Sequence, residues 1–72
     1  MSKTFQKIFG SWIRAKILGW LFTHPDESFF VRQMAMILGE DPTNVSREMA
    51  KLEELGVLRS NRTHGWRQVF RE

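Results

Sequence analysis

The chain has 72 residues, of which 42% are hydrophobic and 26% charged, with a formal net charge of +3 and no cysteine. These values fit one small folded domain and exclude a multidomain protein, a disordered chain, a disulfide framework and a cysteine-based zinc site. No apolar run approaches the roughly 20 residues that span a bilayer, and the N-terminus lacks a signal-peptide pattern, so we expect a cytoplasmic protein with no membrane partner.

Two helices are predicted in the first third of the chain. Apolar residues spaced i, i+3 and i+4 indicate a short helix over residues 4–9, which Gly10 is expected to end. Ser11 is the expected cap of a second helix over residues 12–23, and Pro25 stops that helix. The buried stripe of the second helix is predicted to be Ile13, Ile17, Leu18 and Leu21.

A short strand and a pair of helices are predicted next. Residues 28–31 form an aromatic and β-branched run with the length of a single strand. A helix over residues 32–38 is closed by Gly39, and a second helix over residues 42–55 is capped by Asp41 with proline in its first turn. The inward residues are predicted to be Met34, Ala35, Ile37 and Leu38 in the first helix, and Val45, Met49, Leu52 and Leu55 in the second.

A β-hairpin is predicted to follow. Residues 57–62 and 66–71 are its strands, and the turn at 63–65 ends in a glycine that can take positive φ. Because an isolated hairpin is marginally stable, Leu58, Val69 or Phe70 must pack on the helices, and residues 28–31 are a candidate third strand.

The helix pair satisfies the steric needs of a helix-turn-helix. Ala35 is small enough for a close helix crossing, Gly39 suits a left-handed turn, and Val45 can anchor the second helix. A generic helical hairpin without nucleic-acid binding is the alternative interpretation.

The second helix of the pair would then present a polar outer face. Its first residues are the ones that usually contact bases, and their side chains suit base edges and phosphates. A structural role is open for each of them, such as support of the first turn. We predict base contacts from Thr43, Asn44 and Arg47, and phosphate contacts from Ser46 and Lys51.

The hairpin is basic, whereas residues 37–58 are net acidic. A cluster of arginines on a hairpin is a candidate phosphate-binding element, although the same arginines could only solvate a small sheet. His64 has an equally plain interpretation as a polar turn residue. The further candidate DNA contacts are Arg59, Arg62, His64 and Arg67, together with Arg32 ahead of the helix pair.

Aromatic residues near the N-terminus indicate either a partner surface or internal packing. Trp12 lies opposite the predicted core face, and with Phe5 and Phe9 it could form a homodimer face. The alternative is that the N-terminal segment folds back and covers Trp12. For Trp66, packing of the hairpin is preferred to stacking on a base.

Residues 8–18, 29–39 and 44–59 resemble the winged helix-turn-helix transcriptional regulators. The phrases Val45-Ser-Arg-Glu-Met and Leu52-Glu-Glu-Leu-Gly-Val-Leu carry most of the resemblance. The chain is similar in particular to the small ArsR- and MarR-like prokaryotic group, including the winged-helix modules fused to nucleotidyltransferase domains. The resemblance implies a recognition helix over residues 42–55, a wing tip over 62–67, and a homodimer on a palindromic operator.

The sequence therefore predicts a mainly α fold with a small β-hairpin. The expected architecture is a winged helix-turn-helix, with a three-helix core, a short N-terminal helix and a two- to three-stranded wing sheet. The single domain covers residues 1–72. Its parts are an N-terminal extension at 1–10, the helix-turn-helix at 32–55 and the wing at 57–71.

The predicted function is sequence-specific binding of double-stranded DNA by a prokaryotic transcriptional regulator. The alternative is a winged-helix protein–protein interaction module that uses acidic residues and exposed aromatics, and RNA binding is a weaker variant. We expect no enzyme, catalytic residue, metal or cofactor. The chain has no nucleophile–base pair, glycine-rich phosphate loop or carboxylate pair, and its two histidines lack a ligand set.

Overall fold

Three helices and a two-stranded antiparallel hairpin make up the fold. In the computed structural model, which describes residues 3–63 and 65–69, their order is α1 (Lys3–Thr23), α2 (Val31–Leu38), α3 (Pro42–Glu54), β1 (Leu58–Asn61) and β2 (Gly65–Gln68). This mainly helical architecture confirms the predicted fold class and is compatible with a winged helix. Within the described ranges, none of the helices has both the length and the apolar character needed to cross a bilayer.

The N-terminal part is one helix, so the predicted break at Gly10 and the cap at Ser11 are wrong. α1 runs through both residues without interruption. Gly10 is buried against α3, and this close packing offsets the roughly 1 kcal/mol that glycine costs in a helix interior. The end of α1 before Pro25 is confirmed.

The inner face of α1 is built largely as predicted. Ile13, Ile17 and Leu21 are buried in the core. Leu18 was predicted to join them but is 41% exposed, because it lies a further 100° around the helix from Ile17, away from the packed face.

α2 and α3 confirm the predicted helix pair and its turn. Ala35 and Val45 are buried, and Gly39 takes left-handed geometry at φ 69°. The Glu40 N–H donates to the carbonyl of Ala35 at 2.9 Å and closes the end of α2. Asp41 caps α3, with its carboxylate accepting from two backbone N–H groups of the first turn.

Two apolar residues of this pair are wrongly predicted as core. Ile37 is exposed because the two-turn α2 buries only Met34 and Ala35 fully. Leu55 is exposed because α3 ends at Glu54, one residue before the predicted boundary, and the chain turns there.

The predicted strand over residues 28–31 is reduced to a single bridge. Phe29 pairs with Trp66, and each backbone N–H donates to the other's carbonyl, at 2.8 and 2.7 Å. Val31 already begins α2, which leaves no room for a strand. The hairpin thus has two strands, and this bridge joins it to the loop before α2.

The hairpin packs one face on the helices. Leu58 pairs with Gln68, and Ser60 pairs with Trp66. Gly65 pairs with Asn61 and begins β2, so its predicted place in the turn is wrong, although its positive φ is confirmed. Leu58 is buried and Trp66 packs against the core, as predicted, while Val69 is half-buried. The predicted contribution of Phe70 lies outside the described residues. The core comprises Ile13, Ile17, Leu21, Phe29, Met34, Ala35, Val45, Met49, Leu52 and Leu58.

Candidate nucleic-acid interface

The outer face of α3 is open to solvent. Val45, Met49 and Leu52 point into the core, so helical geometry directs the residues between them outward. Thr43, Ser46 and Arg47 are exposed, and Asn44 is half-buried. The N-terminal N–H groups of α3 are satisfied by Asp41, so any ligand would meet side chains here rather than a free helix terminus.

Lys51 has a structural partner inside the protein. Its ammonium donates to Oε2 of Glu48 at 3.1 Å, while Arg14 of α1 donates to Oε1 of the same carboxylate at 3.1 Å. Glu48 is only 3% exposed. Lys51 therefore neutralises a buried carboxylate, and less of its charge is available to a phosphate than the sequence indicated.

Sequence reasoning missed the role of Glu48 as the tie between α1 and α3. Glu48 follows Val45 by three residues and precedes Leu52 by four, so it lies on the inner stripe of the helix. A carboxylate on the buried stripe predicts an ion pair with another element, since buried charges require partners. Arg14 as that partner, 34 residues away, comes only from the tertiary structure.

The exposed face of the hairpin carries a pair of arginines. Arg59 and Arg67 are directly opposite each other in the strand register, and both are exposed. With Gln68 and Val69 they line a shallow, open depression. Like charges directly opposite each other on a sheet repel, and no carboxylate forms an ion pair with either arginine within residues 3–63 and 65–69.

Contacts between α3 and β1 fix the hairpin beside the outer face of α3. Glu53 accepts from the Ser60 hydroxyl at 2.8 Å and from the Ser60 N–H at 3.3 Å. Glu53 lies on the same flank of α3 as Ser46, one side of the outer face. Arg59 precedes Ser60 in β1 and therefore directs its side chain to the opposite face of the hairpin.

The acidic residues around the helix pair are largely engaged within the protein. Glu40 pairs with Lys16 at 2.6 Å, Asp41 caps α3, Glu48 binds two cations, and Glu53 binds Ser60. Only Glu40 and Glu48 are neutralised by cations, whereas Asp41 and Glu53 are hydrogen-bonded to neutral groups. In contrast, none of the three ion pairs of the described chain involves Arg32, Arg47, Arg59, Arg62 or Arg67.

The remaining candidate residues fall on two other parts of the fold. Arg32 is exposed at the start of α2, and Arg62 is exposed in the hairpin turn. His64 lies outside the described residues. In the part of the chain that the structure describes, no group of three histidine or acidic side chains is placed to hold a metal ion.

Comparisons with protein-family models, curated proteins and solved structures found no match.

Proposed function

We propose that this protein is a winged helix-turn-helix module that binds double-stranded DNA and acts as a prokaryotic transcriptional regulator in the cytoplasm. In this proposal α3 is the recognition helix and the β1–β2 hairpin is the wing. The support comes from the sequence resemblance together with the arrangement of the helix pair and hairpin.

The arginine pair on the hairpin is the observation that carries the proposal. Arg59 and Arg67 face each other on an exposed surface and have no described carboxylate partner. Their mutual repulsion is a cost that a phosphate group between them would relieve. A guanidinium binds phosphate in a bidentate, charge-assisted geometry, so a backbone phosphate of DNA is a suitable ligand.

The outer face of α3 supplies groups that can read bases. Arg47 suits the acceptor edge of guanine, and Asn44 suits adenine. Thr43 lies in the first turn of α3, and the small Ala50 lets a helix approach a groove closely. Ser46 stands on the same flank of α3 as Glu53, two turns nearer the start of the helix, where it suits a phosphate contact.

Binding of a labelled duplex at increasing salt tests the proposal. Each phosphate neutralised contributes about −0.9 to the slope of log affinity against log salt. Phosphate contacts from Arg59, Arg62 and Arg67 therefore predict a slope of about −3. A selection from random duplexes should also yield a preferred sequence. Affinity that is absent at low salt, or that does not change with salt, would overturn the proposal.

A further inference from the structure

One whole side of α1 is apolar and faces away from the core. Helical positions i, i+4, i+7, i+11 and i+14 from Ile8 fall on one side of the helix. They are occupied by Ile8, Trp12, Ala15, Gly19 and Phe22, with Ser11 and Leu18 beside them. We call this set the outer α1 face. None of its seven residues is charged, although a surface helix normally directs charged residues to solvent.

The large residues of the outer α1 face are strongly exposed. Phe22 is 88% exposed, Ile8 65% and Trp12 60%. The seven residues of the face follow one another along about four turns of the helix. A contiguous apolar patch of this kind usually marks an interaction surface.

Small residues occupy the middle of the outer α1 face. Ser11, Ala15 and Gly19 follow one another at intervals of four, and Ala15 separates the Ile8–Trp12 end from the Leu18–Phe22 end. A Cβ added to Gly19 would have nothing within 4 Å. The glycine is therefore not required by packing within the described chain, even though it costs about 1 kcal/mol in a helix.

Three cations flank the outer α1 face; Lys7 lies at its N-terminal end, and the other two are paired within the protein. Lys16 lies beside Trp12, with its ammonium 5.7 Å from the ring centre. That ammonium is already paired with Glu40 at 2.6 Å, so it adds little net repulsion. Arg14, on the opposite flank, is paired with Glu48.

We infer that the outer α1 face is a self-association surface, on which α1 of a second copy packs antiparallel about a two-fold axis near Ala15. With aromatic side chains of about 150–250 Å² each, the large residues expose roughly 500 Å². The small residues raise this to about 600 Å², so a pair that covered the whole face would bury at most about 1,200 Å² in total. That area is at the lower end of the range for specific interfaces.

The antiparallel arrangement follows from the order of large and small residues. A two-fold axis near residue 15 places Trp12 of one copy over Gly19 of the other, where space is open. It also places Ile8 beside Phe22 of the other copy. A parallel pair would instead oppose Trp12 to Trp12 and leave both glycines unfilled. Only the antiparallel order fits large residues against small ones.

This interface differs from the homodimer face predicted from the sequence. Trp12 belongs to both, and its exposure rules out the alternative in which the N-terminal segment covers it. Phe9 lies 100° around the helix from Ile8, off the outer α1 face, and the side chain of Phe5 lies outside the described part. The inference does not rest on DNA binding, and its test uses no DNA.

Sedimentation equilibrium over a wide concentration range tests the association. Gly19→Gln should weaken it at least tenfold, because a longer side chain fills the site of close approach while glutamine remains a good helix former. Phe22→Gln should also weaken it. The matched control is Met36→Gln on α2, which removes an apolar side chain that is 83% exposed elsewhere, and it should leave the association unchanged.

Cysteine cross-linking tests the orientation, since the chain has no cysteine of its own. Ala15→Cys, near the two-fold axis, should form a disulfide-linked dimer on oxidation, whereas Ile8→Cys should not. Efficient linkage of Ile8→Cys would contradict the antiparallel pair. A wild-type protein that stays monomeric at high concentration, or a dimer insensitive to Gly19→Gln, would overturn the proposal. A monomer that instead binds a different protein through Phe22 would likewise overturn it.

Discussion

Gly10 of α1 lies so close to Glu48 of α3 that a Cβ on residue 10 would stand 2.7 Å from Oε2 of the carboxylate. Glu48 cannot move aside freely, because Arg14 and Lys51 hold its two oxygens. Gly10 therefore has a steric role in the middle of a helix, where glycine is otherwise unfavourable. This contact fixes the proposed recognition helix against α1.

Gly10→Ala is expected to destabilise the protein by about 1–2 kcal/mol, since displacement of a paired carboxylate outweighs the gain in helix propensity. Gly19→Ala is the matched control in the same helix. It has open space around it and should stabilise the protein by about 1 kcal/mol. Urea unfolding at low protein concentration measures both. Two changes of the same sign would contradict the proposed role of Gly10.

Glu48→Ala is expected to lower the free energy of unfolding by about 2–3 kcal/mol, because it removes the shared partner of two cations and leaves a buried gap. Glu54→Ala makes the same change in net charge at an exposed position of the same helix. It should change stability by less than about 0.5 kcal/mol. Thermal or urea unfolding compares the pair, and similar losses in both variants would refute the interpretation of Glu48 as the tie between helices.

Gly65→Ala should destabilise the attachment of the hairpin more than Gly39→Ala destabilises the turn before α3. Both glycines have positive φ, at 78° and 69°, so both variants carry left-handed strain of about 1–2 kcal/mol. At Gly65 the new Cβ would also lie 2.5 Å from the Phe29 carbonyl oxygen, whereas Gly39 has open space. Amide hydrogen exchange at Trp66 should accelerate only in Gly65→Ala. Equal exchange in the two variants would show that the bridge is not what holds the hairpin.

Local patterns in the sequence were sufficient to predict α2, α3, the turn between them and the hairpin. Gly39, Asp41 and Val45 each have a role set by neighbours a few residues away, and all three are confirmed. The same local reasoning fails at Gly10, which has the sequence signature of a helix end. Its helical conformation depends on a carboxylate 38 residues further along the chain.

The candidate interface was only partly predictable for the same physical reason. Exposure of Thr43 and Arg47 follows from the period of one helix, and it is confirmed. The engagement of Lys51 with Glu48, and of Glu53 with Ser60, depends on which elements pack together. These contacts show which acidic side chains are engaged within the fold, which the net charge of the segment does not reveal.

Arg47→Ala is expected to change the sequence preference of DNA binding, with a loss of about 1–3 kcal/mol for the preferred duplex and little loss for unrelated duplexes. Arg62→Ala in the hairpin turn should instead weaken binding to all duplexes to a similar extent, because phosphate contacts carry no sequence information. Competition binding with preferred and scrambled duplexes separates the two effects. A uniform loss in Arg47→Ala would contradict base reading by α3.

The most direct test of the proposed function compares two double variants with the same net charge in a duplex-binding titration against salt. Arg59→Gln with Arg67→Gln removes the cross-strand arginine pair, whereas Lys3→Gln with Lys7→Gln removes two positive charges from α1. The first variant should lose affinity by at least tenfold and reduce the salt slope by about two. The second should remain close to wild type. Equal losses in both variants, or no loss in the first, would contradict DNA binding through the hairpin.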